Sequence, residues 1–266
     1  MMFDVADTLY VALAIYTLGT LIALTTLVTR DRRPQHTALL VMIVGFVVHT
    51  FWIGVICTRT GHPPLTNLPE LAAFLSWTIF AVELALYIRY RVYAAAFFVY
   101  PLVLFLLAVP AVLGEPFKHM DPALRSGLFT AHILLTTLGI AGLLTGLSFT
   151  LLAFMQDRAL KSKRRGPLWE WIPSLDVCRS LSYKSLAIGF SVYTVGLIAG
   201  VMWSFRGAEG PAGLRVKEIG AIVAWMLFAA LLQSFIGSSF RGKRTIYISG
   251  FAFVAIIVAI LGIARA

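Results

Sequence analysis

Long apolar runs separated by short polar segments dominate the pattern of the chain. Eight runs reach the length of about 20 residues that an α-helix needs to cross the hydrocarbon core of a bilayer. They cover residues 8–28, 37–57, 68–88, 93–113, 128–154, 185–205, 217–236 and 245–264. The pattern predicts an all-α fold, a polytopic membrane helix bundle with eight transmembrane helices. Little sequence remains between the runs, so we predict a single transmembrane domain over residues 1–266.

Composition excludes the main soluble classes of protein. The 266 residues are 59% hydrophobic and only 13% charged, whereas soluble domains contain about a quarter charged residues. Two cysteines are too few for a disulfide framework. The net charge of +10 would suggest nucleic acid as a partner of a soluble protein. In a membrane protein it indicates loops held on the cytoplasmic side, so we expect no nucleic-acid partner.

The distribution of basic residues predicts how the helices cross the membrane. Alternate loops hold fifteen of the 22 Lys and Arg residues, and the other loops and the C-terminus hold seven. Cytoplasmic loops carry the excess of Lys and Arg. Both termini are therefore expected outside, and the protein is expected in the bacterial cytoplasmic membrane.

Residues 155–184 form the longest polar segment between two predicted spans. The basic run from Lys161 to Arg165 lies beside the fifth span and suits anionic lipid headgroups. We predict that this loop sets the orientation and touches membrane lipid, with docking of a cytosolic partner as the alternative. Trp169 and Trp171 fit an anchor at the membrane interface.

Two glycine spacings predict close contacts between helices. Gly142 and Gly146 lie in the fifth span, and Gly196 and Gly200 lie in the sixth. Such spacings let membrane helices approach closely. The sequence contains no inverted repeat of the kind found in transporters. It also contains no acidic ring and no arginine-studded helix of the kinds found in channels and voltage sensors.

The histidines are the candidate ligands of the sequence. His49 lies about 12 Å below the outer end of the second span, and His132 lies about 6 Å into the fifth span from the same side. His62 and His119 fall in outer loops. A neutral imidazole nitrogen is well suited to bind haem iron axially. A hydrogen-bonded packing role is the alternative for each histidine.

Four stretches, taken together, carry a family resemblance. They are the outer loop and helix start at 61–77, the span 128–154 that opens with Leu-Phe-Thr-Ala-His, the segment 175–200, and the segment 217–244. The third contains Gly-Phe and Thr-Val-Gly-Leu-Ile-Ala-Gly; the fourth runs from Lys-Glu to Arg-Gly-Lys-Arg. In this order they resemble the cytochrome c assembly (CcsA-type) membrane proteins over residues 45–262.

The resemblance implies a protein that handles haem. Members of that family accept haem within the membrane and present it at the outer face for attachment to apocytochrome c. By this resemblance, His132 is expected as the outer axial ligand of haem b and His49 as the ligand within the membrane. Basic residues of the outer loop, Arg206, Arg215 and Lys217, are expected to pair with haem propionates or else simply to end helices.

Three departures separate the chain from the family pattern. The outer loop at 206–216 lacks the tryptophans and the Trp-x-Trp-Asp sequence of the family. Residues 231–233 are Leu-Leu-Gln where a histidine is expected, and the second outer histidine of the family would lie beyond the eighth span. A second outer ligand would then be His62, His119 or a residue of a partner. This depleted pattern resembles the HemX-like branch.

The sequence thus predicts a haem-binding assembly factor or carrier rather than an enzyme. Haem, membrane lipid and other cytochrome c assembly proteins are the expected partners. The alternative is a HemX-type regulatory or scaffold protein of tetrapyrrole synthesis that transfers no haem and contacts a cytosolic haem-synthesis enzyme. A small-molecule transporter is a third possibility without a positive feature.

Overall fold

The computed structural model describes residues 5–29, 33–93, 95–114, 126–162, 172–206, 216–236 and 242–263. This part of the chain contains eight α-helices, and each overlaps one predicted span. They are α1 Val5–Thr29, α2 Arg33–Thr60, α3 Leu68–Tyr90, α4 Ala96–Leu113, α5 Gly127–Ser162, α6 Leu175–Arg206, α7 Val216–Ile236 and α8 Gly242–Ile263. The all-α prediction is confirmed.

Six of these helices, α1 to α6, are long and apolar enough to cross a membrane. Helices α7 and α8 contain shorter apolar stretches within the described residues, Ile219–Phe235 and Tyr247–Val258. A helical membrane bundle therefore fits the structure. The full number of eight crossings, and the outer location of both termini, stay predictions.

The predicted loop at 155–184 is wrong in its bounds, because helices occupy both of its ends. Helix α5 has 36 residues and α6 has 32, so they measure about 54 and 48 Å at 1.5 Å per residue, far more than the ~30 Å bilayer core. Charged residues end a hydrophobic run without ending a helix. Indeed, Lys161 and Asp157 form an ion pair of 2.6 Å one turn apart on α5. Trp169, Trp171 and residues 163–165 lie outside the described residues.

The described helices fall into two compact units, the first containing α1 to α4 and the second α5 to α8. In the first unit, α1 contacts α2 and α4, and α3 also contacts both. Close approach of α1 and α2 depends on two glycines. A Cβ atom on Gly45 would lie 2.8 Å from the Tyr16 ring, and one on Gly19 would lie 2.8 Å from the Met42 sulfur. The prediction of a single domain stays a prediction.

In the second unit, the glycine spacings predicted as helix contacts lie between α5 and α6. A Cβ atom added to Gly142 would meet Gly189 at 3.0 Å, and one added to Gly146 would meet Leu186 at 2.7 Å. Gly196 faces the Thr136 backbone, and Gly200 faces the His132 ring. Both predictions are confirmed. The core next to this contact consists of apolar residues from α5 to α8: Leu143, Leu186, Tyr193, Ala224, Phe228, Leu231, Ala252, Ala255 and Ile256.

Candidate functional site

His132 lies near the beginning of α5 with its imidazole held by α6. The residue is half-buried, and its Nδ1 atom is 2.7 Å from the carbonyl oxygen of Gly196. A carbonyl oxygen only accepts hydrogen bonds, so Nδ1 carries the proton. In the neutral ring Nε2 then carries the lone pair. The geometry thus selects the tautomer in which Nε2 is the basic nitrogen.

Gly200 provides the space in which the His132 ring lies. A Cβ atom on this glycine would be 2.5 Å from Nδ1 and 2.6 Å from Cε1 of the histidine. No side chain larger than hydrogen fits there unless the ring moves. Gly196 and Gly200 therefore act on the same imidazole, one as the acceptor of its hydrogen bond and the other as the gap beneath it.

An aromatic pair lies one helical turn beyond His132. The rings of Phe129 on α5 and Trp203 on α6 are 5.0 Å apart with their planes tilted by 54°. Phe129 is buried and Trp203 is half-buried. Sequence reasoning assigned no role to Trp203. Its position three residues after Gly200 places it one turn from His132.

Helix α7 fixes α6 close to the hydrogen-bond acceptor of His132. The Trp225 indole N–H donates to Thr194 Oγ1 at 2.9 Å, and the Tyr193 hydroxyl donates to the Ala221 carbonyl at 3.3 Å. The Trp225 ring also contacts that of Phe190 at 5.4 Å. Thr194 is two residues from Gly196, so three stretches of the family resemblance meet in one contact region around His132.

His49 is in a different situation in the first unit. It is fully buried in α2, and neither ring nitrogen has a hydrogen-bond partner among the described residues. The rings of Tyr16 on α1 and Trp52 on α2 lie 5.9 and 5.7 Å from its ring. The Tyr16 hydroxyl is also buried without a hydrogen-bond partner in the described part of the chain. The sequence did not identify Tyr16, because nothing in it shows that α1 packs here.

His62 lies directly beyond the end of α2. Gly61 adopts a positive φ of 74°, and its N–H donates to the Cys57 carbonyl at 3.0 Å, which ends the helix. His62 is buried, with Nδ1 2.8 Å from the Pro63 carbonyl oxygen. The Thr60 hydroxyl donates to the His62 carbonyl at 3.0 Å. The adjacent glycine and histidine of the motif thus serve as a helix stop and the start of an ordered loop.

The remainder of this motif starts α3. The Asn67 side chain accepts a hydrogen bond from the Glu70 N–H at 2.9 Å, and Glu70 Oε2 accepts from the N–H and hydroxyl of Thr66 at 2.8 and 2.7 Å. This arrangement is close to a capping box. The spacing of Asn67 and Glu70 carries that signal in the sequence.

The remaining predicted site residues have no described side chains. Arg206 is the last residue of α6, and only its backbone is described. Arg215 and His119 lie outside the described residues. His49 and His62 belong to the first unit and His132 to the second. Within the described residues, no three His, Cys, Asp or Glu side chains gather in a group that would hold a metal ion. Haem iron needs only axial ligands from protein, so this finding is compatible with haem.

We predict that Glu70→Ala destabilises the loop that carries His62. The variant leaves the N–H and hydroxyl of the half-buried Thr66 without their acceptor, and the free energy of unfolding should fall by about 1–3 kcal/mol. Chemical denaturation in detergent, followed by circular dichroism, measures the change. Asp157→Ala is the matched control, because it removes an exposed ion pair worth about 0–1 kcal/mol. Equal, small effects of the two substitutions would contradict the capping role.

Comparison with known proteins identifies the family. The family model described as cytochrome C assembly protein matches residues 65–265, more than half of the chain. The cytochrome c biogenesis protein CcsA of Guillardia theta is 28% identical over 247 residues, which are 85% of this chain and 80% of that protein. CcsA of Prochlorococcus marinus strain MIT 9301 is 28% identical over 227 residues, covering 77% and 74%. CcsA of Nicotiana tomentosiformis is 27% identical over 252 residues, covering 82% and 80%.

The family match extends across the helix that carries His132 and begins just after His62. The relatives named here all bear the CcsA name, so they give no support to the HemX-like branch expected from the sequence. The matched range begins before α3 and runs to the end of α8. The chain belongs to the cytochrome c assembly protein family.

Proposed function

We propose that this protein binds haem b in the membrane and presents it at the outer face during cytochrome c assembly. Membership of the family and the relatives named for cytochrome c biogenesis support a role in cytochrome c assembly. The observation that carries the haem-binding part of the proposal is the hydrogen bond from His132 Nδ1 to the Gly196 carbonyl.

His132 fits the role of an axial ligand. Histidines that ligate metals almost always donate their other ring N–H to a carbonyl, a carboxylate or water, which fixes the tautomer and makes the ligating nitrogen more basic. In this protein the donor is Nδ1, and Nε2 is the nitrogen that would bind. When bound, haem supplies the iron that takes this ligand and is the group to be delivered. Phe129 and Trp203 provide apolar ring surface one turn away.

His49 fits a second haem position within the membrane. Its buried ring nitrogens have no hydrogen-bond partner among the described residues, and leaving such a group without a partner costs about 1–3 kcal/mol. Binding to iron would offset that cost. The rings of Tyr16 and Trp52 lie against His49, so haem binding there requires these two side chains to move.

The proposed orientation has eight crossings with both termini outside. The excess of Lys and Arg in alternate loops supports it. Helices α7 and α8 have 21 and 22 residues, which matches the roughly 20 residues that a span requires. The relatives come from organisms as different as Prochlorococcus marinus and Nicotiana tomentosiformis, and we retain the bacterial cytoplasmic membrane as the proposed location.

The remaining partners follow from the same proposal. His62 or a histidine of another assembly protein would supply a second outer ligand, and Arg206 and Arg215 would pair with haem propionates. The alternative is a HemX-type regulatory or scaffold protein that contacts a cytosolic haem-synthesis enzyme. The absence of tryptophan from residues 206–216 favours this alternative.

We predict that the protein, purified in detergent from cells supplied with haem, shows a Soret absorption band. His132→Ala and His49→Ala should each lower or shift the band, because each removes an iron ligand. His36→Ala is the matched control. The His36 ring is exposed, and its Nδ1 lies 2.8 Å from the Tyr93 hydroxyl at the opposite end of α2 from His62, so this variant should keep the band.

Two outcomes of this experiment would overturn parts of the proposal. Absence of a Soret band in the unmodified protein would reject haem binding and leave the regulatory alternative. A band that is identical in the His132→Ala and His49→Ala variants would reject both ligand assignments. Capture of a haem-synthesis enzyme by cross-linking at Lys161, in protein without haem, would favour the alternative directly.

The proposed orientation predicts which single cysteines, introduced into a cysteine-free background, can be labelled from outside the cell. A membrane-impermeant maleimide added to intact cells should label Asp7→Cys, Arg59→Cys and Arg215→Cys, because these positions are proposed to be outside. Arg158→Cys and Arg241→Cys should react only after the membrane is opened. Labelling of Arg215→Cys and Arg241→Cys from the same side would contradict a crossing by α7.

A further inference from the structure

The way α6 contacts His132 goes beyond ordinary helix packing. In a close helix contact, small residues let two backbones approach, and Gly142 against Gly189 is a contact of this kind. Gly196 and Gly200 differ because a single polar ring lies on both. One supplies the carbonyl oxygen at 2.7 Å from Nδ1, and the other leaves the volume that the ring occupies.

We infer that Gly196 and Gly200 are positioning residues that fix the tautomer and the plane of the His132 imidazole. The assignment of that imidazole as a haem ligand rests on the proposed function, but its tautomer does not. Gly196 contributes a carbonyl oxygen and Gly200 leaves room for the ring, so backbone atoms of α6 contact the imidazole directly.

Neighbouring contacts hold the same segment of α6 in register. A Cβ atom on Gly196 would meet the Thr136 backbone nitrogen at 2.7 Å, so the backbones of α5 and α6 are in close contact here. The Thr136 hydroxyl donates to the His132 carbonyl at 2.7 Å. From the other side, Trp225 on α7 donates to Thr194. The acceptor of the His132 hydrogen bond is therefore fixed by contacts with two helices.

The inference explains the spacing of glycines in the family-like segment Thr194-Val-Gly-Leu-Ile-Ala-Gly200. Thr194 receives the Trp225 hydrogen bond, Gly196 receives that of His132, and Gly200 lies one turn later under the ring. The two glycines are four positions apart in the sequence, which places them on the same face of α6. Replacement of Gly200 would displace one particular ring, that of His132. Its role therefore differs from that of a glycine that only lets two helix backbones approach.

The tautomer is measured by nitrogen NMR of haem-free protein labelled with ¹⁵N-histidine, under conditions in which the imidazole is neutral. His132→Gln identifies the two resonances of His132. The unmodified protein should show a protonated Nδ1 and an unprotonated Nε2. Gly200→Ala should remove this state, so that the two resonances exchange or broaden. Gly127→Ala is the matched control, because a Cβ atom there meets nothing within 4 Å, and it should preserve the state.

A second measurement connects the tautomer to haem. Loss of the hydrogen-bonded partner of a metal-ligating histidine lowers metal affinity about 10- to 100-fold. Gly200→Ala should lower haem affinity by that range in a titration, and Gly127→Ala should leave it unchanged. A protonated Nε2 in the unmodified protein would overturn the inference, even if Gly200→Ala does not fold. A protonated Nδ1 without any haem binding would instead overturn the proposed function alone.

Discussion

Helices α5 and α6 approach each other so closely that glycines face backbone atoms of the opposite helix. Lipid provides little hydrophobic drive for helix association, so close packing and hydrogen bonds between helices must stabilise such a contact. Gly142 meets Gly189, and Gly196 meets the backbone of Thr136. This approach brings the Gly196 carbonyl within hydrogen-bond distance of His132. The orientation of the imidazole, and hence its proposed chemistry, depends on that contact.

The two candidate histidines that lie within helices, His49 and His132, show opposite solutions to burial. His132 donates to a backbone carbonyl, whereas His49 has no hydrogen-bond partner among the described residues. A preoriented ligand needs little rearrangement when it binds. An unpartnered ligand gains more from binding, but here its neighbours Tyr16 and Trp52 must move first. The proposal therefore assigns to His132 a preoriented position at the outer side, and to His49 an enclosed position within the membrane.

Sequence reasoning predicted the helices well, since apolar runs of about 20 residues are a strong signal. It failed at the ends of α5 and α6, because residues 155–162 and 175–184 are polar enough to end a hydrophobic run but still form helix. Glycine spacing predicted contacts on the fifth and sixth spans without naming their partners. The tautomer of His132 and the isolation of His49 depend on which helices are neighbours, and one sequence carries no such information.

Two helix-end signals flank His62 in the sequence. Asn67 and Glu70 have the spacing of a capping box, and Gly61 has the residue type that ends helices with a positive φ. These features explain much of the first family-like stretch as helix termination and initiation. Fewer residues then remain as candidates for the chemistry that the family resemblance implies, chiefly His132 and the segment of α6 that contacts it.

Rescue of the His132→Gly variant by imidazole tests the central claim most directly. Removing the side chain leaves a space beside Gly196 and Gly200 into which free imidazole fits. If His132 ligates haem, the variant loses or shifts the Soret band, and added imidazole restores it. The same imidazole should leave the spectrum of the unmodified protein unchanged. An unaltered band in His132→Gly, or an altered band that imidazole does not restore, would contradict the account.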